Sequence, residues 1–126
     1  MRSVEERYRG KSVRVFRLDG EGVLRRLKTA AEAILANRPD VLEVRLIGSL
    51  ARGEARPGSD ADLVVTVSSS ADPVTERATS LLPYLADAGI GCDLLVYTTE
   101  ELERMHREGK RIAAVMETEG IVLARR

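Results

Sequence analysis

The sequence predicts one α/β domain, on three observations. Some segments repeat apolar residues at helical spacing while others alternate them or run them together, the two kinds of segment alternate along the chain, and 126 residues are enough for one hydrophobic core. No internal repeat, linker or low-complexity stretch divides the sequence, so residues 1–126 are expected to form a single unit. That length leaves no room for a substantial second domain.

The elements follow in order. Val13, Val15 and Leu18 alternate with Arg14 and Arg17, which predicts a half-exposed strand after a mobile stretch over 1–11, ended by Gly20-Glu21-Gly22. From Val23, the residues Leu24, Leu27, Ala31, Ile34 and Leu35 keep helical spacing with Arg25, Arg26, Lys28 and Glu32 opposite, and Pro39 closes this helix. The Arg-rich side reads as a solvated helix face. Val41 to Ile47 is a strand that delivers the chain to Gly48, where a short helix from Ser49 would turn its first amides toward a ligand. Pro57-Gly58 is a turn pair that reverses the chain into a second strand carrying Asp60 and Asp62, making the two strands hairpin neighbours. Asp72 caps a predicted helix with Pro73 at its first position and Val74, Ala78, Leu81, Leu82 and Leu85 on its buried side, bent near Pro83. Gly89 and Gly91 precede a strand holding Asp93. Thr98 and Glu101 have the spacing of a capping box for a helix with Leu102 and Met105, and Ile112, Val115 and Met116 continue the spacing to Gly120. Ile121 to Leu123 is a last short strand.

Chemistry concentrates in one segment, Gly48-Ser-Leu-Ala-Arg-Gly-Glu-Ala-Arg-Pro-Gly-Ser-Asp-Ala-Asp62, followed at once by Leu63-Val64-Val65. Asp60 and Asp62 are two apart, so on a strand both carboxylates point to one face. Two unpaired carboxylates that close repel each other, and a divalent cation relieves the repulsion. Gly48-Ser49 upstream offers amide donors, a hydroxyl and close backbone approach, the features that cradle phosphate. A phosphate cradle facing a carboxylate pair points to phosphoryl-type chemistry. An isolated Asp-x-Asp at a strand start is more often a turn or cap, and it is the Gly-Ser prefix and the following apolar run that shift the balance. Arg52 either adds charge at a phosphate or pairs with Glu54, and the sequence supports both equally.

Bulk properties narrow the partners. Lys plus Arg and Asp plus Glu are each 20, so no excess charge draws the chain to nucleic acid or an anionic membrane. Tyr8, Phe16, Tyr84 and Tyr97 are the only aromatics, few for stacking a series of bases. A polynucleotide partner is therefore unsupported. Cys92 is the single cysteine, which excludes an intrachain disulfide and a cysteine-based zinc site, and it is expected to pack as a small apolar side chain in a reducing compartment. His106 lies in a polar stretch and reads as an exposed helix residue rather than a base. No apolar run approaches a membrane span or a signal-peptide core, so the expected location is the cytoplasm.

Gly48-Ser49, ten intervening residues and then Asp60-x-Asp62 resembles the signature of the DNA polymerase β-like nucleotidyltransferase superfamily, and the wording Ile47-Gly-Ser-Leu-Ala-Arg-Gly53 and Ser59-Asp-Ala-Asp-Leu-Val-Val65 is similar to its minimal nucleotidyltransferases. The resemblance runs over about residues 22–124 and implies that superfamily's fold, a mixed β-sheet flanked by helices. It also implies a third carboxylate on a neighbouring strand, a place filled by Asp93. By this likeness Asp60, Asp62 and Asp93 are the catalytic and metal-holding residues for two Mg²⁺ ions, and Gly48, Ser49, Arg52 and Ser59 contact the nucleotide. The implied reaction moves a nucleoside monophosphate, AMP from ATP, to an acceptor hydroxyl. The likeness extends to the antitoxin half of pairs whose other half is a small helical HEPN-type protein, which implies such a partner or a homo-oligomer to complete the site. The rival expectation is a non-catalytic module that binds nucleotide or neutralises a partner by contact, and a third is transfer to a small molecule such as an antibiotic.

Overall fold

The computed structural model describes residues 20–126. The strand expected over Val13 to Leu18, the stretch 1–11 and the aromatics Tyr8 and Phe16 lie outside the described residues.

Chain order is helix α1 (Gly20–Asn37), strand β1 (Val41–Ile47), a single helical turn α2 (Gly48–Ala51), β2 (Ala61–Val67), two 3-10 turns (Val74–Glu76 and Leu82–Leu85), β3 (Cys92–Thr98), α3 (Thr99–Arg107), α4 (Arg111–Thr118) and β4 (Ile121–Arg125). The four strands form one mixed sheet in the order β3-β2-β1-β4. β1 pairs antiparallel with both β2 and β4, whereas β2 and β3 run parallel, the crossover between them taking residues 68–91. The hairpin between β1 and β2 is as the sequence predicts. So is the mixed sheet flanked by helices.

Alternation along the strands divides the sheet into two faces. Val44, Leu46, Leu63, Val65 and Val96 point to one face and pack with Val23, Leu27, Ala31 and Ile34 of α1 in the main core. Ile47 and Val64 point to the other face and meet Met116, with Tyr97, Leu102, Ile112 and Val115 around them. β2 is buried along Leu63 to Val67 because helices cover both its faces, which is why its sequence is a continuous apolar run. Arg45 ties α4 down, its Nη1 donating to the Met116 carbonyl at 2.8 Å.

Gly20 to Gly22 form the first turn of α1, and Gly20 and Gly22 are buried there. Two predicted elements differ. The helix expected from Pro73 to Leu85 is replaced by turns, since Asp72 makes no cap and Pro73 stands before the first 3-10 turn rather than inside it. Pro83 explains the second half, because it has no N–H for the ladder and its ring crowds the carbonyl four residues back. Arg77 holds the remaining turns in place, Nε donating to the Asp72 carbonyl at 2.8 Å and Nη1 to the Val96 carbonyl at 3.1 Å. Finally, the helical spacing after Thr98 is interrupted: Gly109 takes φ +68° and splits it into α3 and α4, which fold back on each other. The Thr98–Glu101 capping box at the head of α3 forms as predicted, with the Glu101 N–H donating to Thr98 Oγ1 at 3.1 Å and the Thr98 N–H to Glu101 Oε1 at 2.8 Å.

Candidate functional site

The face of the sheet that carries α3 and α4 is left bare at the start of β2 and β3, and the acidic residues lie there. Pro57-Gly58 builds the approach: the Ser59 N–H donates to the Arg56 carbonyl at 2.9 Å and Gly58 has φ +92°, a type II turn with each residue in its favoured place. Ser59 Oγ accepts from the Arg56 N–H at 3.0 Å, so this hydroxyl serves the turn. Asp60 follows, exposed and one residue before the strand, and the Ala61 N–H starts the β2–β3 ladder by donating to the Gly91 carbonyl at 2.8 Å.

Asp62 stands opposite Ile47 of β1 on one side and opposite Asp93 of β3 on the other. Directly paired residues on adjacent strands face the same way, so Asp62 and Asp93 are side by side on the bare end of the face. Gly48 follows Ile47, and its φ of +82° turns the chain out of β1 into α2. A Cβ on Gly48 would collide with Asp62 Oδ2, and Asp62 Cγ would lie only 3.4 Å from it. Glycine at 48 thus does two things, supplying the turn and leaving room for the carboxylate. Asp60 lies instead against Gly91, whose missing Cβ leaves space for Oδ1.

The three aspartates therefore share one end of one face, but each of the first two rests on its own glycine. Among the described residues, no three His, Cys, Asp or Glu side chains close around one metal position. The donor chemistry still fits a hard divalent cation, since these are carboxylates with no lysine or arginine of the described residues hydrogen-bonded to them. The electrostatics agree: the Asp62 carboxyl is raised above its ordinary range, first by burial, then by the charges of Asp93 and Asp60, with Arg52 opposing. Cys92, beside Asp93 in sequence but facing the main core, has its thiol pushed up by burial and by the same two acids, which makes it an inert packing residue.

Arg52 resolves in favour of its acidic neighbours. Its Nε donates to Glu54 Oε2 at 3.0 Å and its Nη1 to Glu119 Oε1 at 3.1 Å. Glu119, between α4 and β4, is a neighbour of the site that sequence reasoning missed, since nothing in a Glu-Gly pair 67 residues away marks it. His106 is exposed on α3, its Nδ1 3.5 Å from Glu117 Oε1. A cleft of about 490 Å³ opens between α3, α4 and the other end of the same face, over Thr66 and Met116, and contains none of the predicted site residues.

The family model described as "Nucleotidyltransferase domain" matches residues 27–120. A solved structure from Sulfolobus solfataricus, described as a candidate nucleotidyltransferase, is similar with a TM-score of 0.60 and 19% identity, over 90% of this chain and 94% of that one. A structure described as a toxin-antitoxin with AMP-PNP is similar with a TM-score of 0.50 and 19% identity, over 86% of this chain and 75% of that one. No curated protein matches. At such identities these structures speak for the fold.

Proposed function

The chain belongs to the nucleotidyltransferase domain family, and from that premise we propose that it transfers a nucleoside monophosphate, AMP from ATP, to a hydroxyl of a protein acceptor. The observation that carries this reading is the pairing of Asp62 with Asp93 on adjacent parallel strands, with the Asp62 carboxylate seated against Gly48 at the turn into α2.

In this reading the amides and hydroxyl of Gly48 and Ser49 bind terminal phosphate oxygens of the nucleotide, and Arg52 exchanges a carboxylate partner for phosphate. Asp60 and Asp62 face the triphosphate, and Asp93 faces the acceptor. Asp60, Asp62 and Asp93 would hold divalent cations, Mg²⁺ by preference, and the bound metal would supply neutralisation of phosphate charge and a lowered pKa for the attacking hydroxyl. The acceptor oxygen forms a bond to the α-phosphorus as its proton passes to Asp93. The bond between the α-phosphorus and the bridging oxygen breaks, and pyrophosphate leaves with the electron pair. The chain's part is placement and charge.

The acceptor is proposed to be a small helical partner of the HEPN type. Support comes from the likeness to a toxin-antitoxin structure that holds AMP-PNP and from the exposure of Asp60 and Asp93. No helix among the described residues is long and apolar enough to cross a membrane, and we place the reaction in the cytoplasm.

A second reading, in which the chain neutralises a partner by binding alone, is favoured by the hold of Glu54 and Glu119 on Arg52. One experiment separates the two. Wild-type protein and the Asp60→Asn/Asp62→Asn variant are incubated with Mg²⁺, α-phosphate-labelled ATP and host extract, and labelled species are resolved by size. Label on a protein with wild type alone establishes the transfer; no label with any of the four nucleotides, with partner binding intact in both, leaves the binding module.

A further inference from the structure

Gly91 carries no obvious duty in the backbone. Its φ lies outside the left-handed region, its carbonyl accepts the Ala61 N–H as any residue's would, and it sits just ahead of β3. A side chain there would nevertheless run into Asp60, with a Cβ colliding with Oδ1 and Cγ only 3.3 Å away. The need for glycine at 91 is thus spatial and comes from one residue across the ladder.

We infer that Gly91 is a positioning residue: the space left by its missing Cβ holds the Asp60 carboxylate over the start of β3, on the side of the site where Asp93 lies. This rests on the reading of Asp60 as a ligand in the proposed transfer. Asp60 is exposed and its oxygen ends a short side chain, so an alanine at 91 would turn the carboxylate away at little cost to folding. The damage falls on placement. Gly48 behaves differently, because a side chain there must also meet φ +82°.

The probe is Mn²⁺, titrated by its own paramagnetic signal without nucleotide or acceptor, together with melting temperature. Gly91→Ala should weaken Mn²⁺ binding roughly 10–100-fold, as displacing a ligand's support does at other metal sites, with the melting temperature within a degree or so of wild type. In an Asp60→Ala background, where the colliding atoms are gone, Gly91→Ala should weaken Mn²⁺ no further. Equal Mn²⁺ affinity of wild type and Gly91→Ala overturns the inference, and so does a second loss of the same size in the Asp60→Ala background, or no Mn²⁺ binding by wild type. Mn²⁺ binding by wild type that Gly91→Ala weakens, without transfer of nucleotide to any acceptor, would sink the proposed reaction and leave the role of Gly91 standing.

Discussion

Asp62 and Asp93 are direct partners on parallel strands, one row from where each strand begins, with no cation of the described residues hydrogen-bonded to either. Burial first, and then the charges of Asp93 and Asp60, raise the Asp62 carboxyl above its ordinary range. Its folded-state pKa lies above the ordinary 3.8, so the native state holds this proton more tightly than the unfolded chain. The contribution to stability is complete below pH 3.8 and is lost as pH rises through the raised value. Without divalent cation, Asp62→Asn should therefore melt higher than wild type at neutral pH, by up to about 1 kcal/mol after solvent screening, with the gap closing in acid. Transfer activity should fall on the order of 10²-fold or more. A variant that melts lower than wild type at pH 7 would show that Asp62 is a structural residue.

Glu101 titrates with the opposite sign. The Arg77 guanidinium and the Thr98 N–H hold its carboxyl down to about 2, so its stabilisation is present above the ordinary 4.5 and disappears as pH falls toward 2. Glu101→Gln should cost about 1 kcal/mol at pH 7, as for the loss of a good helix cap, and flatten the wild-type loss of stability below pH 4.5. Nucleotide binding, read by isothermal titration, should not change, because the capping box is built at the far end of β3 from Asp93.

These two carboxylates illustrate what the sequence makes legible. Thr98 and Glu101 satisfy a local rule, three residues apart at the head of a helix, and local rules survive folding. Asp60 and Asp62 were equally visible through the Gly48-Ser49 prefix and the Leu63-Val64-Val65 run. Asp93 needed the register between β2 and β3, which no spacing supplies and which only the resemblance suggested. The helix expected over 73–85 failed because its apolar period was real while Pro83 could not complete the ladder, so the same residues, Leu81 and Leu85, reach the core from turns. Glu119 and Gly91 were invisible because each matters through a contact with a residue far away in the chain. Gly20 and Gly22 read as breakers by composition, yet both are buried in the first turn of α1, despite glycine's low helix propensity of roughly 1 kcal/mol per residue.

Arg52 tests the boundary between structure and site. Its bonds to Glu54 and Glu119 are exposed ion pairs, worth little each, so Arg52→Ala should shift stability by less than about 1 kcal/mol. If the guanidinium exchanges these partners for phosphate, the same variant should raise the KM for ATP about tenfold with a smaller change in kcat. Glu119→Gln, which loosens the hold on Arg52, should move KM the other way. An unchanged KM in both variants would assign Arg52 to the surface alone.

Two glycines with left-handed backbones provide the last comparison. Gly58, at φ +92°, has nothing within 4 Å of where a Cβ would stand, so Gly58→Ala meets only the backbone penalty of roughly 1–2 kcal/mol. Gly48, at φ +82°, meets that penalty and the Asp62 carboxylate as well. Gly48→Ala should therefore destabilise more than Gly58→Ala in urea unfolding, and in an Asp62→Ala background the difference between them should shrink, because the colliding oxygen is gone. Activity should separate them further: Gly58→Ala should keep transfer within a few-fold of wild type while Gly48→Ala loses it with Asp62 displaced. If both variants unfold at the same urea concentration and transfer equally well, the contact between Gly48 and Asp62 does not shape the site.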